Sequence, residues 1–243
     1  MKRCILVLSS PRSGSSCLTA CLKMSGVFLG ETEAQVKDKY NPKGYYENAK
    51  ILSFNEKVLD SVQSGIFDQK LLDGNQEKKS MEYKDELQQI IVSEFGESDL
   101  IAIKDMRIIT LFALYESVLQ ELGYDINIVE IKRNAHASAR SMSRMINEVS
   151  FEQGLLVHEK FHDRVKELPS PKTFVALEEF IGSPVVELNR ICDELKISPA
   201  PKEEVEQFVD ASLLHCGGSG KEQSKLSLLA KKIKKKACAL FKV

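Results

Sequence analysis

The architecture of this chain follows from one early segment, Cys4-Ile5-Leu6-Val7-Leu8-Ser9-Ser10-Pro11-Arg12-Ser13-Gly14-Ser15-Ser16. Its five successive apolar residues are typical of a strand that is buried on both faces. A polar loop with proline, glycine and serines follows, and a helix with Leu18 and Leu22 on one side begins near Cys17. Because loop amides and a helix N-terminus direct unpaired N–H groups at one point, this strand–loop–helix unit predicts an anion-binding site.

The loop differs from the Walker A motif, G-x-x-x-x-G-K-[ST], in its charged residue. When Gly14 is aligned with the second glycine of that motif, Ser9 takes the place of the first glycine and Ser15 that of the lysine. The lysine that reaches the β- and γ-phosphates is therefore absent, which disfavours an ordinary ATPase or kinase. Arg12 instead supplies a fixed positive charge with planar donors. A strand–turn–helix that binds no ligand is the alternative.

The composition of the 243 residues is that of a soluble globular protein, with 43% hydrophobic and 28% charged residues. The net charge of −1 does not suggest a nucleic-acid partner. Residues 221–243 nevertheless contain eight lysines and one glutamate. We expect a single domain over residues 1–220, followed by a basic amphipathic helix over residues 221–243. That helix either packs on the domain with its lysines in solvent or makes peripheral contact with an anionic membrane.

The lack of a recognisable signal peptide and the pattern of cysteines predict a cytoplasmic protein. The apolar run that starts at Cys4 stops at Ser9, which is too short for the core of a signal peptide, and no segment reaches transmembrane length. None of the six cysteines forms a C-x-x-C pair, so we expect reduced and mostly buried thiols. Cys17 and Cys21 lie one helical turn apart, but no histidine is near them in sequence to complete a metal site.

Four apolar segments, separated by helical patterns, predict the strands of the fold. They span residues 4–8, 100–103, 127–131 and 173–177. Strands that alternate with helices imply parallel pairing, so we expect an α/β fold with a P-loop-like parallel sheet of four or five strands and helices on both faces. The segment 64–80 is expected to be an exposed connection, and residues 196–220 are expected to be rich in loops.

Charged residues follow these strands at their carboxyl ends, where ligands bind in open parallel sheets. In chain order they are Arg12, Lys104, Arg133 and Glu178. The sequence therefore predicts that these four residues share one rim of the sheet.

These motifs, in this order, resemble those of the sulfotransferases that use 3′-phosphoadenosine 5′-phosphosulfate (PAPS), above all the bacterial and tyrosylprotein-type branch. The first loop of that branch reads Pro-Arg-Ser-Gly-Thr-Thr and corresponds to residues 11–16. A second shared element is an arginine followed eight residues later by a serine, here Arg133 and Ser141. Three further stretches are similar to the Asn-Pro-Lys-Gly-Tyr-Phe-Glu, Lys-Asp-Pro-Arg and Tyr-Glu-Asp-Leu…Pro segments of bacterial members: residues 41–47, 104–107 (with Met106 in place of proline) and 177–184. The resemblance spans roughly residues 3–215.

The resemblance implies a donor site made of two cationic pockets. In the family the first loop grips the 5′-phosphosulfate, and the corresponding residues are Arg12, Ser13, Gly14, Ser15 and Ser16. The family's 3′-phosphate contacts correspond to Arg133 and Ser141, and these contacts would reject ATP.

The resemblance also implies how the sulfuryl group would be transferred. Arg12 and Lys104 would neutralise charge on the leaving group, and a carboxylate would act as general base on an acceptor hydroxyl. We favour Glu47, in the tyrosine-rich loop, as the base; Glu31, which follows Gly30 near the base position of tyrosylprotein-type members, is the alternative. Because a sulfuryl group carries less charge than a phosphoryl group, no metal is expected. The sequence does not specify the acceptor, which is a small molecule, a glycan, a lipid or a peptide.

Two other functions compete with this one. His158-Glu159-Lys160-Phe161-His162 matches H-E-x-x-H on a predicted helix, the pattern of zinc metalloproteases, with Glu178 or Glu179 as a third ligand. If the chain is a sulfotransferase, we expect this helix to line the acceptor side, with its histidines solvated or positioning substrate. The remaining alternative is a non-catalytic, nucleotide-binding regulatory protein with a P-loop-like fold.

Overall fold

The first strand, β1 (Lys2–Leu8), lies inside a parallel sheet in the computed structural model of the chain. The structure describes residues 2–32, 41, 43–67, 72–96, 98–146 and 149–209. Cys4 to Leu8 are almost completely buried because the sheet covers both edges of β1 and helices flank it. The sequence prediction for this segment is therefore confirmed.

The described sheet contains three further strands: β2 (Leu100–Lys104), β3 (Tyr124–Lys132) and β4 (Lys172–Ala176). Their order is β2-β1-β3-β4, and every neighbouring pair is parallel. The register places Val7 beside Lys104 and Leu8 beside Glu130, so the carboxyl ends of β1, β2 and β3 meet at one edge. The fold is α/β with a parallel sheet flanked by helices, as the sequence predicts.

Ten helices and one 3₁₀ turn connect the strands within the described ranges. The helices are α1 (Ser15–Met24), α2 (Ala49–Ser61), α3 (Gly74–Met81), α4 (Lys84–Phe95), α5 (Phe112–Glu121), α6 (Ala135–Met145), α7 (Phe151–Glu167), α8 (Leu177–Gly182), α9 (Pro184–Leu195) and α10 (Lys202–Phe208), and the 3₁₀ turn is Met106–Ile109. The main apolar core joins side chains of β1, β2 and β3 to those of α2, α4, α5 and α7. The described residues lie within one compact unit, Met1–Ala211.

Two helices form where the sequence predicts an exposed connection and a loop-rich segment. α3 (Gly74–Met81) begins within residues 64–80, and α10 lies within residues 196–220. The residues Asp73-Gly74-Asn75 resemble a turn, but Asp73 accepts the N–H groups of Asn75 and Gln76, and the Gln76 side chain accepts the N–H of Asp73. This capping box starts α3, because it satisfies N–H groups that the first helical turn leaves unpaired.

Part of the sequence prediction falls outside the described residues. The basic helix expected over residues 221–243 and its membrane contact lie there, as do residues 33–40 and Pro42 of the tyrosine-rich loop. Among the helices that are described, none combines the length and apolar character needed to cross a bilayer.

Candidate functional site

The loop between β1 and α1 is shaped by two residues in the left-handed region. Arg12 has a φ of 65° and Gly14 a φ of 84°. A Cβ at Gly14 would clash with the Leu177 side chain, approaching Cδ2 to 2.9 Å, so both conformation and space require glycine there. Gly14 makes no side-chain cap on α1, which begins at Ser15. The first N–H groups of α1 are therefore available at the position where an anion is expected.

Three of the predicted donor-binding residues come together at this loop. Arg12 Nε donates to Ser141 Oγ over 3.1 Å, and Arg133 Nη1 donates to the carbonyl oxygen of Arg12 over 3.3 Å. Arg133 follows β3, and the next residue, Asn134, caps α6 by accepting the N–H of Ala137. The guanidinium groups of Arg12 and Arg133 thus both lie at the loop between β1 and α1 rather than in separate clefts.

The serines of the loop face in two directions. Ser13 is fully buried, and its hydroxyl lies 2.8 Å from Ser10 Oγ, so it can offer an anion only its main-chain N–H. Ser15 and Ser16 are partly exposed, and Ser16 Oγ accepts a hydrogen bond from Asn41 Nδ2 at 3.0 Å. The serine hydroxyls that can donate to an anion at this loop are therefore those of Ser15 and Ser16.

Lys104 and Glu47 form an ion pair beside the loop. Lys104 ends β2 and is only 8% exposed, and its Nζ donates to Glu47 Oε1 over 2.7 Å and to the Tyr45 carbonyl over 3.0 Å. The Glu47 side chain is 20% exposed. The structure thus brings together a predicted leaving-group cation and the favoured general base.

A buried polar network around the next residue, Asp105, holds Lys104 in place. Asp105 is 1% exposed and accepts hydrogen bonds from Asn55 Nδ2 at 3.0 Å, from the Arg107 N–H at 2.9 Å and from Arg107 Nη1 at 3.0 Å. Tyr115 donates to Asn55 Oδ1 over 2.7 Å. Desolvation raises the pKa of Asp105 above its ordinary value, against the opposing charge of Arg107. The network fixes the backbone at the end of β2, and therefore also fixes the Cα atom from which the Lys104 side chain extends.

Glu31 belongs to a different cluster. Its side chain is exposed, and its main-chain N–H donates to Glu94 Oε2 over 3.3 Å. The same oxygen accepts from Asn48 Nδ2 at 2.7 Å, and Lys50 pairs with the other carboxylate oxygen of Glu94 at 2.5 Å. The contacts of the two candidate bases therefore differ: Glu47 meets Lys104, and Glu31 meets the Glu94 cluster.

Lys43 and Phe208 hold the loop that carries Glu47. The Lys43 ammonium donates to the carbonyl oxygen of Phe208, the last residue of α10, and lies 4.7 Å from the centroid of its ring. A hydrogen bond from Cys21 and the charge of Lys43 lower the pKa of the Cys17 thiol in the first turn of α1. The sequence does not predict a role for Phe208, because residues 196–220 contain turn signals typical of loops.

The two histidines of α7 are buried, so the first of the two expectations for them, that they are solvated, is wrong. His158 and His162 are each 1% exposed, because that face of α7 packs against the sheet. His158 Nδ1 lies 2.7 Å from Ser10 Oγ, and His162 Nδ1 lies 2.5 Å from Glu130 Oε1. Glu159, the glutamate of the H-E-x-x-H match, is exposed on another face of the helix. A zinc protease is therefore not favoured, because both imidazoles are closed off from solvent and, among the described residues, no third histidine, cysteine, aspartate or glutamate side chain completes a metal-binding group with them.

No cluster of three or more histidine, cysteine, aspartate or glutamate side chains that could hold a metal ion occurs among the described residues. Glu178, predicted on the same rim, accepts the main-chain N–H of Asn134 at 3.0 Å. Glu178, which lies in α8, therefore satisfies a main-chain N–H at the start of α6 and links the two helices.

Solved structures that are similar to this chain include two sulfotransferases. The sulfotransferase domain from the Synechococcus PCC 7002 olefin synthase aligns with 92% of this chain and 84% of its own, with a TM-score of 0.54 and 16% sequence identity. Sulfotransferase STF9 from Mycobacterium avium aligns with 90% of this chain and 69% of its own, with a TM-score of 0.45 and 13% identity. No protein-family model and no curated protein matches the sequence. The chain therefore shares the fold of the olefin synthase sulfotransferase domain.

Proposed function

We propose that this chain is a sulfotransferase that uses PAPS to transfer a sulfuryl group to an acceptor hydroxyl. The observation that carries the proposal is the meeting of Arg12, Arg133 and Ser141 at one anion-binding loop. These residues come from two distant parts of the chain, and a donor with a phosphate at each end of one adenosine needs two adjacent cationic pockets. The fold and the motifs similar to the tyrosylprotein-type branch support the same proposal.

The residues present fit such a donor. The N–H groups at the start of α1, with the Ser15 and Ser16 hydroxyls, would hold the 5′ end of the donor. Leu177 packs so closely against Gly14 that a side chain at position 14 would clash with it, which keeps the loop free of a Cβ at that point. Arg133 and Ser141 would hold the 3′-phosphate. When bound, PAPS supplies the sulfuryl group and a stable phosphate leaving group.

Three charged side chains of the protein would neutralise the leaving group and accept the proton of the acceptor. Arg12 and Lys104 would neutralise negative charge on the leaving oxygen, since both lie at the edge where the strands end. Glu47 would accept the proton of the acceptor hydroxyl. In the structure Glu47 is paired with Lys104, so an anionic group bound near Lys104 would compete with this carboxylate for the ammonium. The acceptor, a small molecule, glycan or lipid on this proposal, would approach along the loop that bears Tyr45 and Tyr46.

Nucleotide selectivity tests the donor assignment. We expect 3′-phosphoadenosine 5′-phosphate (PAP) to raise the melting temperature more than AMP, ADP or ATP, since a ligand at 100 times its Kd adds about 2.7 kcal/mol to stability. Arg12→Ala should remove most of the PAP shift, whereas Arg190→Ala, which breaks exposed pairs with Glu187 and Glu194, should not. Equal shifts by ATP and PAP, or an unchanged PAP shift in Arg12→Ala, would contradict the proposal.

Transfer itself needs a second measurement. The wild-type protein is incubated with sulfur-35-labelled PAPS and a panel of phenols, sugars, sterols and hydroxylated lipids. Labelled product that disappears in Arg12→Ala is the expected result. Tight PAP binding with no product from any acceptor would instead favour a non-catalytic nucleotide-binding protein.

A further inference from the structure

A chain of buried hydroxyls runs beneath the anion-binding loop and ends on α7. Ser13 Oγ lies 3.4 Å from Ser138 Oγ and 2.8 Å from Ser10 Oγ, and Ser10 Oγ lies 2.7 Å from His158 Nδ1. The three serines are 0% exposed. The loop is thus closed from inside by side chains that no ligand can reach.

His158 is itself held by the sheet. Its ring centroid lies 4.5 Å from that of His162, one turn further along α7, and His162 Nδ1 lies 2.5 Å from Glu130 Oε1. Glu130 lies on β3 and is in register with Leu8, the last residue of β1. Glu130, His162 and His158 therefore connect the central strands to the underside of the loop through side chains only.

Packing alone does not account for these histidines. The Nε2 atoms of His158 and His162 are buried without a hydrogen-bond partner among the described residues, which costs free energy that an apolar side chain would avoid. Burial, with His162 and Lys132 nearby, lowers the pKa of His158 to about 3, so the ring is neutral and serves as a hydrogen-bonding group. The Ser10 contact is the only polar contact that the structure gives His158 within the described residues.

The loop needs such a support. Arg12 adopts a φ of 65°, a conformation that non-glycine residues rarely take, and the main-chain N–H groups face an anion only while that turn is kept. A loop that is shaped before its ligand arrives binds more tightly than one that is ordered by the ligand.

We propose that His158 is a positioning residue for the anion-binding loop, acting through Ser10 and the Ser13 hydroxyl to keep the loop amides directed at the donor. The inference rests on the proposed function for its ligand, and its effect on the loop itself is independent of any ligand. His158 touches neither donor nor acceptor on this proposal.

Two substitutions at His158 separate hydrogen bonding from packing. The His158→Asn amide can approximate the position of Nδ1 and keep the Ser10 bond, whereas His158→Leu fills similar space without a polar atom. We expect His158→Leu to weaken PAP binding about tenfold by calorimetry, and His158→Asn to stay within about threefold of wild type. Val165→Ala, a cavity variant at a fully buried position two turns along α7, should lower the melting temperature without changing the PAP Kd.

Removing the same bond from its other end provides an independent check. Ser10→Ala should weaken PAP binding like His158→Leu, and adding Ser10→Ala to His158→Leu should change it little further, since both remove one interaction. Ser10→Ala also keeps the test valid if His158→Leu does not fold. Full additivity of the two changes, or a wild-type Kd in Ser10→Ala and His158→Leu, would overturn the inference.

Amide hydrogen exchange without nucleotide separates this inference from the proposed function. Exchange in residues 10–16 should be faster in His158→Leu and Ser10→Ala than in wild type, and near wild type in His158→Asn and Val165→Ala. If the wild type fails to bind PAP, the proposed function is wrong and the exchange result still decides the inference. Unchanged exchange in both His158→Leu and Ser10→Ala means that His158 does not position the loop.

Discussion

At the scale of single residues, the two candidate bases differ in what surrounds them. Glu47 shares a hydrogen bond with a nearly buried lysine, so its carboxylate is fixed at the strand ends. Glu31 has an exposed carboxylate and is tied to the protein through its main chain. A general base needs a defined position next to the acceptor, and only Glu47 has a side chain held in that way.

Exchanging each carboxylate for an amide therefore discriminates between them. Glu47→Gln should lower the rate of sulfuryl transfer by about 10²- to 10⁴-fold, the usual contribution of a general base, with little change in PAP affinity. Glu31→Gln, the matched control, should transfer at a rate close to wild type. The rates are compared with labelled PAPS and one acceptor at saturating donor. The reverse pattern, with only Glu31→Gln impaired, would assign the base to Glu31.

At the level of secondary-structure elements, α6 and α7 together contact the loop between β1 and α1 from its buried side, and α6 also contacts it at Arg12. α6 provides Ser138 beneath the loop and Ser141 beside Arg12, and α7 provides His158. The two helices approach closely at Gly154, where an added Cβ would lie 3.0 Å from Ala139 Cα and 3.2 Å from its carbonyl oxygen. The position of His158 thus depends on a contact one turn earlier on the same helix.

Widening that contact should destabilise the protein and disturb the loop. Gly154→Val forces α7 away from the Ala139 backbone, which should lower the free energy of unfolding by about 1–3 kcal/mol. The same change at Gly182, an exposed position with no atom within 4 Å of an added Cβ, should alter it by less than about 0.5 kcal/mol.

Urea denaturation of both variants measures the difference, and PAP titration shows whether the loop moved. Equal stability losses at the two glycines would mean that the helices do not pack as closely as described.

At the scale of the whole molecule, folding removes a titratable imidazole from water. The unfolded chain protonates His158 near pH 6.5, whereas the folded protein resists protonation until about pH 3. Below pH 6.5 the unfolded state therefore binds the extra proton, and stability falls as the pH is lowered through this window. Burial raises the pKa of Asp105, which acts in the opposite sense, so a comparison of variants is needed to isolate the histidine.

The comparison is between the wild type and His158→Asn, which cannot titrate. Between about pH 6 and about pH 4.5, the wild type should lose up to about 1.4 kcal/mol of stability per pH unit more than the variant. Urea denaturation at several pH values provides the two slopes. Parallel slopes would show that His158 is not kept neutral by the fold.

The sheet and its rim could be predicted from the sequence because they depend on local patterns. Continuous apolar runs identify buried strands, and residues that follow such strands must lie at one edge, which places Arg12, Lys104 and Arg133 together. The connection 64–80 was predicted wrongly because Asp-Gly-Asn starts either a turn or a capped helix, and only Gln76 distinguishes the two.

The contacts beneath the loop could not be predicted in the same way. Ser10 and His158 are separated by 148 positions, and their contact depends on which face of α7 lies on β3. The buried positions of α7 repeat at helical spacing, and that pattern marks the inward face: Gly154, Val157, His158, Phe161, His162, Arg164 and Val165. Including polar residues in the pattern would have placed both histidines inside.

The place of β1 within the sheet has a consequence for biosynthesis. Its two hydrogen-bonding neighbours begin at residues 100 and 124, so the strand with the longest apolar run leaves the ribosome long before either exists. Through that interval its backbone has no native partner, and exposed strand edges of this kind invite association between nascent chains. The polar, glycine-containing loop that follows β1 limits the vulnerable stretch to a few residues, and chaperone dependence should be highest until β3 has been synthesised.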